Sequence, residues 1–450
     1  MRLTLVHPAI GRRAGQRYLR SWQMQPLQPA LLAALTPDDV DIRFYDDRME
    51  TIRFDEPTDL VAISVETYTA RRAYQIASDY RRRGVPVVMG GFHASLCPDE
   101  VSHYAEAVVL GEAEGVWAEV IDDARHGTLK PRYNAPFGPS LADLRYDRRI
   151  YRGKRYLPIS LVEAGRGCRF RCEFCAVQTF FHATHRLRPV HEVMAELQAL
   201  PRAGLVFFVD DNFAANIGEA RELLRAMASL RIRWVTQMSI NAAHDEEFVA
   251  LMAEGGCVGV LIGFESLQPE TLKAMRKGFN MMGAGYASAL ANLRRHRIRV
   301  YGTFVFGYDG DGPEAFDRAV EFALDQRFYI AAFNHLTPFP GTPLYSRLAG
   351  EGRLLFDAWW LDPQYSYNRL PFQPLSLSPQ ELQAACLAAR RAFYSIGSLL
   401  RRGLDRANRA DPFMWRNFLP INWMHRREIG VRNHYPLGDA GWQGELLPVA

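Results

Sequence analysis

The chain has 450 residues, 48% of them hydrophobic and 23% charged, with a formal net charge of +4. That balance excludes a disordered chain and fits two or three domains, each able to bury a core. The charge is too mild for nucleic-acid binding, no face shows the dense Lys/Arg clustering with aromatics that it needs, and no apolar run approaches the ~20 residues that span a bilayer, so a cytoplasmic location is expected.

The first 130 or so residues alternate strands and helices. Strands are predicted at Leu3–His7, Val40–Tyr45, Leu60–Val65, Val85–Met89 and Ala107–Leu110, and helices at Pro26–Leu35, Thr69–Arg83 and Glu114–Arg125. Repeated βα units imply an α/β fold with a parallel, doubly wound sheet that binds ligands at the carboxyl ends of its strands. Those ends carry Ser64-Val-Glu-Thr-Tyr-Thr69, Gly90-Gly-Phe-His-Ala94 and Gly111-Glu112. Glycine there lets backbone approach a large ligand, although the same residues also suit plain tight turns. No GxGxxG follows the first strand, which disfavours a nicotinamide dinucleotide. Residues 131–156 read as a linker, because Gly127, Pro131, Pro136, Gly138 and Pro139 break any periodicity.

Gly165-Arg-Gly-Cys-Arg-Phe-Arg-Cys-Glu-Phe-Cys175 places Cys168, Cys172 and Cys175 within eight positions, while Cys97, Cys257 and Cys386 stand alone. Three thiolates on one loop can hold three corners of a cubane iron-sulfur cluster and leave one iron without a protein ligand. Gly165 and Gly167 suit the tight loop, and Arg166, Arg169 and Arg171 can offset the charge of thiolates and sulfides. Zinc completed by His182 or His185 is the competing reading, weakened because zinc cysteines usually come in paired hooks.

CxxxCxxC with an aromatic before its last cysteine resembles the radical S-adenosylmethionine (SAM) superfamily. The resemblance implies a [4Fe-4S] cluster whose open iron binds the amino and carboxylate groups of SAM and cleaves it to a 5′-deoxyadenosyl radical. A GG-x-H-A turn and a G-E turn ahead of that motif resemble the cobalamin-binding domain of the class B radical SAM methylases. By that likeness Gly90, Gly91, His93, Gly111 and Glu112 contact the cofactor. The chain has no DxHxxG motif, so the expected cobalamin lacks a histidine on cobalt, and the loop Thr67-Tyr68-Thr69 covers its lower face.

A second alternation begins at Leu157. Strands are predicted at Leu157–Val162, Leu205–Val209, Trp234–Ile240, Val258–Phe264, Val300–Phe306 and Tyr329–Leu336, a partial (β/α)6 barrel with its chemistry at the strand C-termini. Val209-Asp-Asp-Asn-Phe213, Gly263-Phe-Glu-Ser266, Gly307-Tyr-Asp309 and Thr337-Pro-Phe-Pro-Gly-Thr-Pro-Leu344 resemble the cobalamin-dependent subgroup that has an extra C-terminal domain and includes the hopanoid and bacteriochlorophyll methylases. The resemblance puts Glu265 and Ser239 on the amino and ribose groups of SAM and Phe174 near adenine, and leaves Asp210 and Asp211 for catalysis on the substrate. Ser378, Pro379 and Glu381 have the form of a capped helix start, and the basic, aromatic stretch beyond Leu399 suits either membrane-surface contact or, as preferred, a lid on the barrel.

The expected organisation is therefore a flavodoxin-like cobalamin domain over 1–130, the linker, a radical SAM domain over 157–345 and a helical lid over 346–450. The resemblance implies a methyltransferase acting on an unactivated carbon of a small-molecule, lipid or tetrapyrrole substrate. It also implies an external one-electron reductant of flavodoxin or ferredoxin type. A non-methylating enzyme, such as an oxidative cyclase, is the alternative, and a redox sensor is disfavoured by the full set of polar strand ends. Replacing Cys168, Cys172 and Cys175 together by alanine is expected to abolish iron and sulfide uptake on anaerobic reconstitution. Metal content equal to the parent would refute the cluster assignment.

Overall fold

The computed structural model describes residues 1–201 and 204–449. Its first sheet contains β1 (Arg2–His7), β2 (Asp41–Asp46), β3 (Leu60–Ser64), β4 (Val87–Gly90), β5 (Ala107–Leu110) and β6 (Arg132–Asn134). The spatial order is β2-β1-β3-β4-β5-β6, with every neighbouring pair parallel. The order turns back on itself between β1 and β3, which opens a crevice at their carboxyl ends.

Strand residues alternate between two buried faces. Leu60, Ala62 and Val88 face α1 (Leu27–Leu35) and α2 (Trp117–His126), whereas Val61, Ile63 and Val87 pack with the helix Ala70–Arg81 on the other side. The stretch expected to be a linker supplies β6, which pairs with β5 through Val108, Val109 and Leu110. Only Tyr133 of its three residues is buried, so the strand is too short to show an alternating pattern in sequence.

The second sheet contains β7 (Ile159–Val162), β8 (Leu205–Phe208), β9 (Trp234–Gln237), β10 (Cys257–Glu265), β11 (Arg299–Phe306) and β12 (Ile330–His335). Its strands pair in chain order, all parallel, with β7 and β12 as edges, the partial barrel expected from sequence. Phe208, Trp234, Phe264, Phe304 and Phe333 build its core.

The C-terminal part begins with α3 (Pro379–Phe393), whose start is the capping box read from sequence, Glu381 N donating to Ser378 Oγ at 3.2 Å and Ser378 N to the Glu381 carboxylate at 2.8 Å. Leu382, Cys386 and Phe393 join the barrel core, so Cys386 is a small buried hydrophobe. Three further helices follow, α4 (Ile396–Gly403), a single turn at Arg406–Arg409, and α5 (Pro412–Arg432). The expectation of a helical lid through residue 450 needs correction. Gly438–Asp439 pairs with Gly11–Arg12, and Leu447 N donates to Ser78 Oγ at 2.9 Å, so the tail crosses back and straps the first sheet.

Candidate active site

The cysteine loop leaves the barrel at the carboxyl end of β7. Gly165–Gly167 forms an antiparallel ribbon with His185–Leu187, and Gly167 has φ +85 with the Thr184 carbonyl where a side chain would lie. Three consecutive residues after β8 brace the loop. Asp210 accepts from Ala164 N and Asp211 from Gly167 N, both at 2.8 Å, and Asn212 Nδ2 lies 3.7 Å from Cys168 Sγ. Glu173 N donates to Met275 O at 3.0 Å, its carboxylate accepts from Arg347 Nε at 2.9 Å, and Phe170 stacks on Phe279 with ring centroids 3.6 Å apart.

The two aspartates expected to be catalytic thus brace the backbone of the cysteine loop. Asp210 is buried away from the main cavity, and Asp211 reaches the cavity wall while holding the loop backbone. Burial pushes Asp210 up to about 8 and Asp211 up to about 6. The arginines are also reassigned. Arg166 is paired with Glu112, Glu114 and Glu163, and Arg169 donates to the Ala215 carbonyl.

The cation beside the thiols is Lys277. Burial pushes Cys172 up to about 12 and raises Cys168 and Cys175, while Lys277 opposes the rise in each. Such thiols become thiolates only against the charge of a metal group.

Lys277 Nζ donates to Glu265 Oε1 at 2.8 Å and stands 6.0 Å from the Phe174 ring centroid. Burial works against the ammonium, but Glu265 and Cys172 outweigh it and hold Lys277 above its ordinary range. The register of β10 shifts between Gly263 and Glu265, and Glu265 takes φ +58, a strained conformation that aims its carboxylate at the lysine. A side chain at Gly263 would collide with that carboxylate and lie 2.9 Å from Nζ. Ser239 accepts from Asn212 Nδ2 at 3.2 Å, which connects it to Cys168. The pair of Glu265 and Lys277 therefore offers one anion and one cation beside the cluster loop. Sequence reading missed Lys277, which belongs to no motif and is placed by Asn280 Nδ2 donating to Gly263 O and Phe264 O at 3.0 and 3.1 Å.

A cavity of about 430 Å³ joins the carboxyl ends of the two sheets. Ala62, Val88 and Val109 floor it, Ser64, Gly90, Gly91, Gly111 and Glu112 line its middle, and Leu161, Arg166 and Asp211 close the barrel side. Gly111 N donates to Ser95 Oγ at 2.9 Å, and Glu112 is held by Arg166 and Arg186 at 2.8 and 2.6 Å. Gly91 has φ +103, and a Cβ there would lie 2.9 Å from Val65 O, so a larger residue would strain the sheet itself.

Four expected cofactor contacts lie elsewhere. His93 is fully buried, with Nδ1 3.3 Å from Thr67 Oγ1 and Nε2 3.0 Å from Glu100 Oε1, so neither nitrogen faces the cavity. Thr67 and Thr69 are buried in the turn, where Thr69 Oγ1 accepts from Glu66 N at 3.0 Å. Tyr68 lines a second cavity of about 240 Å³ with Phe174, Val305, His335 and Thr337. Two other strand-end residues take the vacated places. Glu66 lines the larger cavity, pushed up to about 7 by burial, and so does His7, pushed down to about 3 by burial and Arg48. His7 Nδ1 and Glu114 Oε2 have no hydrogen-bond partner, leaving one nitrogen and one carboxylate oxygen at the wall for a polar ligand.

Residues 162–323 match the Radical SAM superfamily. The chain is 32% identical over 389 residues to bacteriochlorophyllide d C-12(1)-methyltransferase of Chlorobaculum tepidum, covering 84% of each protein. It belongs to the radical SAM family that includes this methyltransferase. The hopanoid C-2 methylase of Rhodopseudomonas palustris is 27% identical over 74% of this chain and 66% of its own length. The methyltransferase TsrM of Kitasatospora setae, solved with cobalamin and a [4Fe-4S] cluster, superimposes with a TM-score of 0.63 at 18% identity, covering 96% of this chain and 99% of that one, which establishes the shared fold. This radical SAM protein has no helix long and apolar enough to cross a membrane among its described residues.

Asp210 binds its proton more tightly in the folded than in the unfolded chain, so its contribution to stability is complete below about pH 4 and is lost as pH rises through about 8. Urea unfolding at a series of pH values is expected to show Asp210→Asn gaining on the parent by roughly 1 kcal/mol per pH unit across that window. Parallel curves would show that the buried carboxyl is not held protonated.

Proposed function

We propose that the chain is a C-methyltransferase acting on a rigid, largely apolar ring system of tetrapyrrole or polycyclic lipid type. Cobalamin occupies the cavity between the sheets, and SAM lies against the cluster loop. The observation that carries this reading is the continuous cavity from Ala62 to Asp211, in a chain that matches a tetrapyrrole methyltransferase over 84% of both lengths. When bound, the cluster and SAM supply a radical that removes a substrate hydrogen, and cobalamin supplies the methyl group.

The chain's own residues hold and orient. Cys168, Cys172 and Cys175 each take one iron, and the Asn212 amide at Cys168 fixes the first of them. Lys277 pairs with the SAM carboxylate, Glu265 with its ammonium, Phe174 flanks adenine, and Ser239 reaches the ribose. Gly90 and Gly111 let the cobalamin tail run close to backbone, and the apolar floor excludes water from it. His7 Nδ1 and Glu114 Oε2 meet polar groups on the corrin rim. Tyr68 and Phe339, whose ring centroids lie 5.8 Å apart in the second cavity, form an aromatic wall on the substrate side. An external one-electron donor of flavodoxin or ferredoxin type completes the system.

Anaerobic incubation with SAM, reductant and a bacteriochlorophyllide or polycyclic lipid is expected to yield 5′-deoxyadenosine, S-adenosylhomocysteine and a methylated product together. 5′-Deoxyadenosine without S-adenosylhomocysteine would instead mark a radical enzyme that does not methylate. For the cavity, Ala62→Phe is expected to lower retained cobalamin by at least about tenfold, a difference of about 1.4 kcal/mol, with iron and sulfide unchanged. Unchanged cobalamin content would place the cofactor elsewhere.

A further inference from the structure

The helices α4 and α5 carry two rows of large apolar residues that nothing covers. Ile396, Leu400 and Leu404 form one row, and Trp415, Leu419 and Trp423 the other, each at i, i+4, i+8 spacing and each residue between 49% and 66% exposed. These six are more than half of the eleven large hydrophobic residues exposed among the described ones. The helices pack antiparallel. Tyr394 stacks on His425 at 5.7 Å, Arg402 donates to Asn422 Oδ1 at 3.1 Å, and a Cβ at Gly403 would lie 2.9 Å from the Phe418 ring.

At about 100° per residue, each row is turned roughly a quarter circle, in the same rotational sense, from the residues that meet the other helix. In an antiparallel pair, equal turns of the same sense bring both rows to one side. The pair therefore presents one continuous apolar face, and isolated exposed apolar residues would need no such explanation.

The charge around this face has one sign. Between 396 and 432 eight arginines stand against three acidic residues, so this segment carries more than the whole chain's net charge of +4. The three acids are all engaged, Asp405 with Arg294, Asp411 with Arg233 and Glu428 with Arg432. Arg406, Arg409, Arg416 and Arg427 are exposed and pair with no carboxylate of the described residues.

We propose that this face docks the enzyme on an anionic phospholipid surface, with Trp415, Leu419 and Trp423 entering the headgroup boundary and the arginines meeting lipid phosphate. Two tryptophans in an apolar row with arginines at its border match the interfacial layer of a bilayer. A second copy of the chain is a poorer occupant, because a twofold contact would bring Arg416 and Arg427 against their own counterparts. The inference is independent of the reaction assigned to the active site.

The test is anaerobic cosedimentation of the cluster- and cobalamin-loaded full chain with vesicles. Vesicles containing phosphatidylglycerol are expected to bind at least roughly tenfold more protein than phosphatidylcholine alone, with binding falling as salt is raised. The triple substitution Trp415→Ser, Leu419→Ser, Trp423→Ser, confined to exposed positions, should reduce this binding about tenfold while cluster absorbance and cobalamin content stay at parent levels. Arg416→Gln with Arg427→Gln should weaken binding mainly at low salt. Failure of the parent to bind either vesicle, or equal binding by parent and triple variant, would overturn the proposal. A concentration-dependent dimer that the triple variant abolishes, with no vesicle binding, would overturn it in favour of a second copy.

Discussion

A buried guanidinium lies at the centre of the coupling between the two sheets. Arg166 lies between Glu112 and Glu114, from the turn after β5, and Glu163, from the end of β7, while Arg186 takes the second oxygen of Glu112. Arg166 is two residues before Cys168, so the contact that joins the carboxyl edges of the sheets also sets where the cysteine loop begins. Burying such a group costs solvation, which opposing carboxylates must offset, and this makes the pairing strict about geometry more than it makes it strongly stabilising. A relative shift of the sheets would leave several buried charges without partners.

The same coupling explains the chemical character of the cavity. Its wall is made by strand ends of two sheets, where backbone leaves regular pairing and polar side chains collect. Glu66 and Asp211, both pushed up by burial, face a space floored by Ala62, Val88 and Val109. A site with an apolar floor and an incompletely satisfied polar wall suits a large ligand that has an apolar body and many amide groups at its rim. On the cluster side Asp210 Oδ1 and Asp211 are instead held by backbone N–H groups and Lys277 by Glu265, so the loop is braced before any ligand arrives.

The C-terminal part holds this assembly from outside. Arg402 is fully buried and pairs with no carboxylate of the described residues, donating to the carbonyls of Phe328, Tyr329 and Phe393 and to Asn422. Burial lowers it to about 10, and its guanidinium lies 3.9 Å from the Phe393 ring centroid. It pins α4 and α5 to the start of β12, while the tail reaches the first sheet. The helices are thus tied down on their inner side, and their outer rows stay free.

What the sequence by itself determined was local. The cysteine spacing, the capping box at Ser378, the apolar runs that became β1, β3, β5 and the barrel strands, and the flavodoxin-like and partial-barrel classes all rest on periodicity or on residues within a few positions of each other. What only the tertiary structure decided depends on contacts across long separations. His93 looked like a cofactor contact because of its turn, but Glu100 and Thr67 close over it. Asp210 and Asp211 looked catalytic because they end a strand, but the backbone of a loop more than forty residues earlier takes them. Lys277 carried no signal because its meaning comes from Glu265 and the thiols it faces. Hydrogen bonds and buried charges are assigned by which groups folding brings within about 3 Å, and a one-dimensional pattern records identity and spacing but not that proximity.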